Sequence, residues 1–542
     1  MTIIPPEFLQ EIADEYGVTD AELEVLSLAI QGVSNAEIAA RLNIQAAAAR
    51  KRLGEIYKKF HISGAGPGKL AKLQQILVER HRMKEARGGD DLEPKTDPSQ
   101  PLRDWGQAPD VSIFYGREEE LQMATTWMLE EECRVLALLG MGGIGKTSLS
   151  VKLAQQSQEE FDCVLWRSLR QAPSLSELLT DLLRTLARPA RSILSDPLDE
   201  KISHLIKVLR DRQCLLVLDR VDAILSPEEL AGQYRDGYRN YGDFFRRLAE
   251  ETHQSCVVIT SLETPREIAL RAGNNTPVRT MTLDGLQPDD AAEIFKVKGL
   301  DDKADEKKKW AELVNLYRGN PLALKIVATT IKELFGGSVK EFLKQNTLVF
   351  GDIDSLLEQQ LSRLSELERE IVYWLAIERF PASMEQLQND ILLPLPPKDL
   401  FEALESLKRR SLIEKSQEDG GAVFALQPVV MEYITQQLVE QVCAEIVELS
   451  RTQKLDKVKT FRSHALLKVD EEDSELRTLQ ENLLLKPVKE RLLRMFRSDR
   501  RLSERLSKIQ TLLEDKFPLE VGYSIDNILN LLGELNLETA AN

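Results

Sequence analysis

One stretch constrains this chain more than any other. Residues 134–147 read Arg-Val-Leu-Ala-Leu-Leu-Gly-Met-Gly-Gly-Ile-Gly-Lys-Thr, an apolar run that passes straight into a glycine-rich turn, a lysine and a threonine. The apolar run fits a parallel strand buried on both faces, and the pattern after Thr147 fits an amphipathic helix. A strand feeding a helix through glycines makes a loop whose backbone N–H groups can turn inward, because glycine alone tolerates both the dihedrals and the close approach. Such a cradle suits a polyphosphate. Lys146 is then placed to reach the β- and γ-phosphates, Thr147 to offer its hydroxyl to Mg2+, and the helix to point its positive end at the same anion. Gly140, Gly142, Gly143, Ile144, Gly145, Lys146, Thr147 and Ser148 are the candidate nucleotide contacts.

A second apolar run, Cys214 to Leu218, ends in Asp219. This is the pattern of a buried parallel strand that delivers a carboxylate to magnesium at its C-terminal edge. Thr147 and Asp219 are therefore the candidate metal ligands. Lys146, Asp219 and Asp222 are the candidate catalytic groups. No Asn-Lys-x-Asp segment follows to read guanine, so ATP or ADP with Mg2+ is the expected ligand.

With 542 residues, 42% of them hydrophobic, the chain has room for three to five domains with cores of their own. The start lacks a basic leader, and no apolar run approaches the ~20 residues that span a bilayer, so a cytoplasmic location and no membrane partner are expected. Cys133, Cys163, Cys214, Cys256 and Cys443 have no paired spacing and read as reduced core residues. The five scattered histidines argue against a histidine-built metal site. The net charge of −17 is uneven. Residues 1–40 carry acidic side chains and no Lys or Arg, whereas 41–82 carry ten basic residues against Glu55 and Glu79, the local footprint of a DNA-contacting element.

Residues 1–82 have a helix-turn-helix rhythm. Thr19 can cap a helix with Glu22 in the capping-box position, and Val25, Leu26 and Ala29 follow at helical spacing before Gly32. Ser34 caps a second helix, and a third runs from Gln45 to Phe60 with Leu53, Ile56, Tyr57 and Phe60 inward. Val18-Thr19-x-x-Glu22 to Leu26, Gly32-x-Ser34-Asn35-x-Glu37-Ile38-Ala39-x-x-Leu42 and Leu53-x-x-Ile56-Tyr57-x-Lys59-Phe60 resemble the LuxR-type DNA-binding domain. The base-reading end of the third helix is Gln45 followed by Ala46 to Ala49, and alanine touches little beyond a thymine methyl. Gln45, Arg50, Lys51 and Arg52 are left as DNA-binding candidates. Docking of a partner protein and a purely structural helical cap stay open as alternatives.

Residues 83–110, rich in Pro, Gly and Asp, are expected to form a flexible linker. From 111 onward β-like and α-like runs alternate, which implies a parallel sheet with its ligand at the strand C-termini. Gly116-Arg117, Gly140 to Thr147, Leu215 to Asp219, Thr260-Ser261 and Gly319-Asn320-Pro321-Leu322-Ala323-Leu324 occur in the order found in NB-ARC ATPases. These are the apoptotic-ATPase branch of the STAND signalling NTPases, and the resemblance covers roughly residues 111–445. Together with the head, it is nearest in kind to bacterial, cyanobacterial-like members.

The resemblance implies a multidomain chain. An α/β P-loop NTPase core with a parallel sheet (111–280) would be flanked by the all-α helix-turn-helix head, a small helical domain (281–350), a winged helix (351–445) and a C-terminal helical region (446–542). The wing is expected as a hairpin, with Leu407 to Ile413 and Ala422 to Leu426 flanking Asp419-Gly420-Gly421. The resemblance also implies nucleotide contacts from Arg117, Thr260 and Pro321, the last against adenine. Gln427 stands where the family carries the histidine that holds ADP. Two further departures are Arg220, where a second acid is usual, and Leu262, where an arginine is usual. Asp222 and Arg266 are candidates to stand in for them, and slow or absent hydrolysis is expected.

Some relatives with a similar C-terminal segment continue into WD-type repeats, so the resemblance implies either a natural short form or loss of a sensor. The expected function is an ATP/ADP switch that self-associates on ATP and acts through its head as a DNA-binding transcriptional regulator. The alternatives are a scaffold whose head recruits an effector protein in stress or antiviral defence, and a housekeeping ATPase motor.

Overall fold

The structure, a computed structural model, describes residues 18–30, 35–42, 44–60, 101–187, 196–300, 304–345, 347–418, 421–468 and 474–541, with Leu9, Ile12, Ala13, Leu73 and Leu77. Two compact units divide the chain, Met1–Gln100 and Pro101–Asn542.

The first unit contains helices α1 (Asp20–Ile30), α2 (Asn35–Arg41) and α3 (Ala46–Lys59). Val25, Leu26, Ala29, Ile38, Ala49, Leu53, Ile56 and Phe60 close one small core, because their helical spacing puts them on facing stripes. At the start of α1 the Thr19 N–H donates to Glu22 Oε2 at 2.8 Å, the reciprocal half of a capping box. Lys59 Nζ pairs with the same carboxylate at 2.6 Å and so ties the end of α3 to the start of α1. Gly32 and Ser34, read as a helix stop and a cap, lie outside the described residues.

The second unit is built on a six-stranded sheet ordered β1-β3-β4-β5-β2-β6, with every pair parallel. Its strands are β1 (Leu102–Asp104), β2 (Val135–Leu139), β3 (Cys163–Ser168), β4 (Cys214–Asp219), β5 (Cys256–Thr260) and β6 (Val278–Thr282). β2, β4 and β5 are buried along their whole length, which is why their sequences are continuously apolar. On one face Leu136, Leu138, Leu215 and Val217 meet α4 (Glu118–Leu129) and α5 (Lys146–Ser157). On the other face Val135, Ala137, Leu216 and Leu218 meet α6 (Leu175–Ala187), α7 (Leu198–Asp211) and α8 (Asn240–Glu250).

Helices α9 (Pro288–Lys298), α10 (Ala304–Leu316), α11 (Pro321–Leu334) and α12 (Val339–Leu343) follow the sheet. Next come α13 (Asp352–Leu361), α14 (Glu366–Glu378), α15 (Met384–Asp390) and α16 (Pro397–Arg409), with a three-stranded antiparallel sheet ordered β7-β9-β8. Its strands are β7 (Ala382–Ser383), β8 (Ile413–Glu418) and β9 (Gly421–Leu426). The long helix α17 (Pro428–Thr452) leads into a helical C-terminal region whose apolar stripes join the core shared with α14 and α17. No helix among the described residues is long and apolar enough to cross a membrane.

Several sequence boundaries move. The stretch 83–110 is not linker throughout, since Leu102–Asp104 pairs in parallel with Cys163–Leu165 as the sheet edge. A three-residue strand is too short to leave a periodic signal beside prolines. The boundary at 280 cuts through β6, and the one at 445 cuts through α17. In the hairpin, Leu407 to Arg409 end α16 and the strand begins at Ile413, while Asp419 and Gly420 lie outside the described residues.

Candidate phosphate-binding site

The glycine-rich loop leaves the C-terminal end of β2, between the ends of β5 and β6, where open parallel sheets receive their ligands. Its glycines are there for two different reasons. Gly145 adopts φ +104 as the cap of α5, with nothing near a would-be Cβ, so conformation alone demands glycine. Gly143 has φ +77, and a Cβ there would also sit 2.7 Å from Leu322 Cβ. The loop lines a cleft of about 490 Å³ together with Lys146, Thr147, Ser148, Asp219, Asp222, Thr260 and Pro321.

Lys146 folds back over the loop, and its Nζ donates to Gly140 O at 2.7 Å and Met141 O at 2.9 Å. Burial pushes its pKa down to about 8, although the carboxylates of Asp222 and Asp219 pull the other way. Thr147 Oγ1 donates to Asp219 Oδ1 at 2.6 Å, and Thr260 Oγ1 donates to the same oxygen at 2.7 Å. The Thr260 hydroxyl also accepts the Arg220 N–H at 2.9 Å. Asp219 is buried, and burial raises its pKa against those two hydroxyl bonds. Asp222 Oδ1 accepts the Leu262 N–H at 3.2 Å, which links the segments that follow β4 and β5.

This arrangement fits a magnesium-bound polyphosphate. Thr147 and Asp219 are hard oxygen donors already within 2.6 Å of each other, the donor type that suits Mg2+. The residues placed to hold the metal are these two, while Lys146 and the amides of Gly142 to Ser148 would hold the phosphates.

The other expected contacts sit one step away. Arg117 is buried, and its Nη2 donates to Ile144 O at 3.3 Å, so it braces the loop from beneath rather than lining the cleft. Ile144 and Gln427 line a second cavity of about 270 Å³ with Met141, Ser411 and Glu414. Gln427 is thus not among the residues of the phosphate cleft. Arg266 is exposed in a single helical turn outside the cleft, whereas Leu262 lines it.

Sequence reasoning missed a set of residues that reach the loop from far along the chain. Asn320 caps α11 by accepting the Leu322 and Ala323 N–H groups at 3.1 and 3.2 Å, and its Nδ2 donates to Gly142 O at 2.8 Å. Gln360 on α13 accepts the Gly142 N–H at 3.4 Å and donates to Arg410 O at 3.0 Å. Arg410 in turn pairs with Glu368 at 3.1 Å and with Glu263 at 3.2 Å, and Arg363 also pairs with Glu263. Both glutamates are fully buried. Glu263 follows β5 by three residues, so one cluster touches both the phosphate loop and the segment carrying Thr260 and Leu262. The N-cap signal at Asn320 was legible, but Gln360 and the two arginines belong to no local motif.

In the head, Gln45, the N-cap of α3, and Lys51 on α3 are exposed, and the Arg50 side chain lies outside the described residues. Arg52 turns inward and donates to Ala21 O at 3.2 Å.

The NB-ARC domain family matches residues 117–236. Over 471 residues the chain is 44% identical to an uncharacterised WD repeat-containing protein of Nostoc sp., a match covering 80% of this chain and 37% of that protein. It is 26% identical over 298 residues to the regulatory protein AfsR of Streptomyces coelicolor, covering 52% of this chain and 27% of the relative. The chain thus spans well under half the length of either relative. Among solved structures, a STAND protein with a tetratricopeptide repeat sensor from Pyrococcus horikoshii aligns with a TM-score of 0.32 and 18% identity, covering 82% of this chain and 60% of that one. Residues 117–236 thus carry an NB-ARC domain match that spans β2, the glycine-rich loop, β3 and β4 of the parallel sheet.

Proposed function

We propose that the chain is a nucleotide-controlled switch that opens and self-associates when its cleft holds ATP rather than ADP. The observation that carries this reading is the Gln360 strut, which occupies a phosphate-loop amide from one end and the end of α16 from the other. We read residues 281–350 as a small helical domain and 351–445 as a winged helix, so the strut joins the winged helix to the site where phosphate binds. A bound γ-phosphate and its magnesium supply new charge at the loop, and a loop re-formed around them competes with the strut for Gly142. Such a switch needs a bistable contact whose two states bind the ligand differently. Moving it from 1:99 to 99:1 takes about 5.5 kcal/mol of differential binding. Lys146, Thr147 and Asp219 are the groups that would provide it.

The head (1–82) then acts on assembly. A single head with few phosphate contacts would hold DNA at roughly 10⁻⁴ to 10⁻⁶ M, and several tethered together gain avidity. The relative named as a regulatory protein supports a regulatory role. One observation favours the other reading, a scaffold whose head recruits an effector protein. Arg52 commits its Nη1 to Ala21 O, which draws part of its guanidinium away from phosphate contacts. A DNA shift assay comparing wild type with Lys51→Ala across a salt series separates the two, since a scaffold binds negligibly in both forms.

Light scattering with Mg-ADP and with Mg2+ and a non-hydrolysable ATP analogue tests the switch. A larger mass only with the analogue is expected, and one mass under both conditions would sink the reading.

A further inference from the structure

Where a second acid is usual after the metal carboxylate, this chain has Arg220. Its backbone takes φ +62, ψ 50, an uncommon left-handed geometry for a residue with a side chain, and Thr260 Oγ1 pins it there by accepting its N–H at 2.9 Å. The half-buried side chain lines the same cleft as Lys146 and Thr147. Among the described residues the guanidinium has no hydrogen-bond or ion-pair partner, although Arg residues elsewhere in this unit pair readily.

Arg220 and Lys146 share the cleft with the carboxylates of Asp219 and Asp222, and the guanidinium, without a partner among the described residues, is available to an anion that enters it. The phosphate loop surrounds the inner phosphates from β2, while Arg220 leaves the neighbouring side of the cleft directly after the metal carboxylate of β4. A terminal phosphoryl group held with Mg2+ by Thr147 and Asp219 would lie on this side. A guanidinium suits it, because its fixed fork of donors matches phosphate oxygens. The two positions expected to supply such a group do not, since position 262 is leucine and Arg266 is exposed outside the cleft.

We propose that Arg220 is the γ-phosphate reader of this cleft and sets its preference for triphosphate over diphosphate. The proposal rests on the nucleotide-binding reading above and adds the residue that discriminates. Its departure from the expected acid then has a purpose: a cation in place of a water-polarising carboxylate favours retention of the triphosphate over its hydrolysis.

The test is calorimetric binding of Mg2+ with a non-hydrolysable ATP analogue, and of Mg-ADP, to the full chain as wild type, Arg220→Gln, Arg220→Lys and Lys146→Ala. Arg220→Gln is expected to weaken the analogue about 10- to 100-fold, the size of one charge-assisted hydrogen bond, while ADP changes less than about threefold. Arg220→Lys, which keeps the charge without the fork, should recover part of the loss. Equal weakening of both nucleotides by Arg220→Gln, or no change in either, overturns the proposal while leaving nucleotide binding intact. A wild-type chain that binds neither nucleotide overturns the underlying reading as well. Lys146→Ala, which should weaken both, tells a general phosphate contact from a γ-specific one.

Discussion

At the scale of single residues, the chemistry of the cleft is set by charges kept partly out of water. Lys146 has a pKa near 8 in the folded chain, against an ordinary lysine value above 10, because burial outweighs the pull of Asp222 and Asp219. Its unfolded form therefore binds more protons between about pH 8 and pH 10, so this group penalises folding below about pH 8, and the penalty lifts as pH rises through that window. Bound phosphates reverse the imbalance by stabilising the ammonium. We therefore expect proton uptake on nucleotide binding at pH 8, shrinking toward zero by pH 6.5. Calorimetry in buffers of different ionisation enthalpy reads it directly, and Lys146→Met should abolish it. The same pair of measurements would count against this picture if uptake were equal in the mutant.

Between elements, two buried charged clusters do different work. The Glu263–Arg363–Arg410–Glu368 cluster joins the segment after β5 to α14 and the end of α16, and Ser406 adds a hydrogen bond to Glu368 at 2.6 Å. Taking one partner from a buried ion cluster leaves an uncompensated charge and costs about 3–5 kcal/mol. Arg410→Ala should therefore lower the melting temperature clearly, and Arg410→Lys, which keeps a charge without the fork, should lower it less. Differential scanning calorimetry distinguishes this from a surface pair, for which no measurable change is expected.

The second cluster joins Glu378 at the end of α14 to Asp390 and Lys468. Burial, with Asp390 alongside, raises the Glu378 pKa to about 7. The folded chain thus binds more protons than the unfolded one between about pH 4.5 and pH 7, and stability from this group falls as pH rises through that window. Glu378→Gln is expected to flatten the decline in melting temperature from pH 5 to pH 7. An unchanged slope would show that the carboxyl titrates normally.

For the whole molecule, the Gln360 strut is the contact on which the proposed switch rests. Gln360→Leu keeps the buried volume but leaves the Gly142 N–H and the Arg410 carbonyl without that partner, a loss of about 1–2 kcal/mol or roughly 5- to 30-fold in a two-state balance. The variant should release a fluorescent ADP analogue faster and assemble at lower concentrations of the ATP analogue. Release and assembly identical to wild type would remove the strut from the mechanism.

The sequence by itself determined the parts of this protein that are short-range. The apolar runs of β2, β4 and β5, the glycine loop, Lys146, Thr147 and Asp219 are legible because each is a pattern completed within a few residues, and continuous burial or a phosphate cradle demands those residue types locally. The hairpin between β8 and β9 is legible for the same reason. Tertiary structure alone decided the rest. Gln360 meets Gly142 across 218 positions, Arg52 bonds to Ala21 O, Leu102–Asp104 becomes a sheet edge, and Arg220 rather than Arg266 lines the cleft. A lone glutamine or arginine has no periodicity to betray its partner, because a hydrogen bond or ion pair between distant segments depends on how packed elements meet, and that is set by the burial of the whole core.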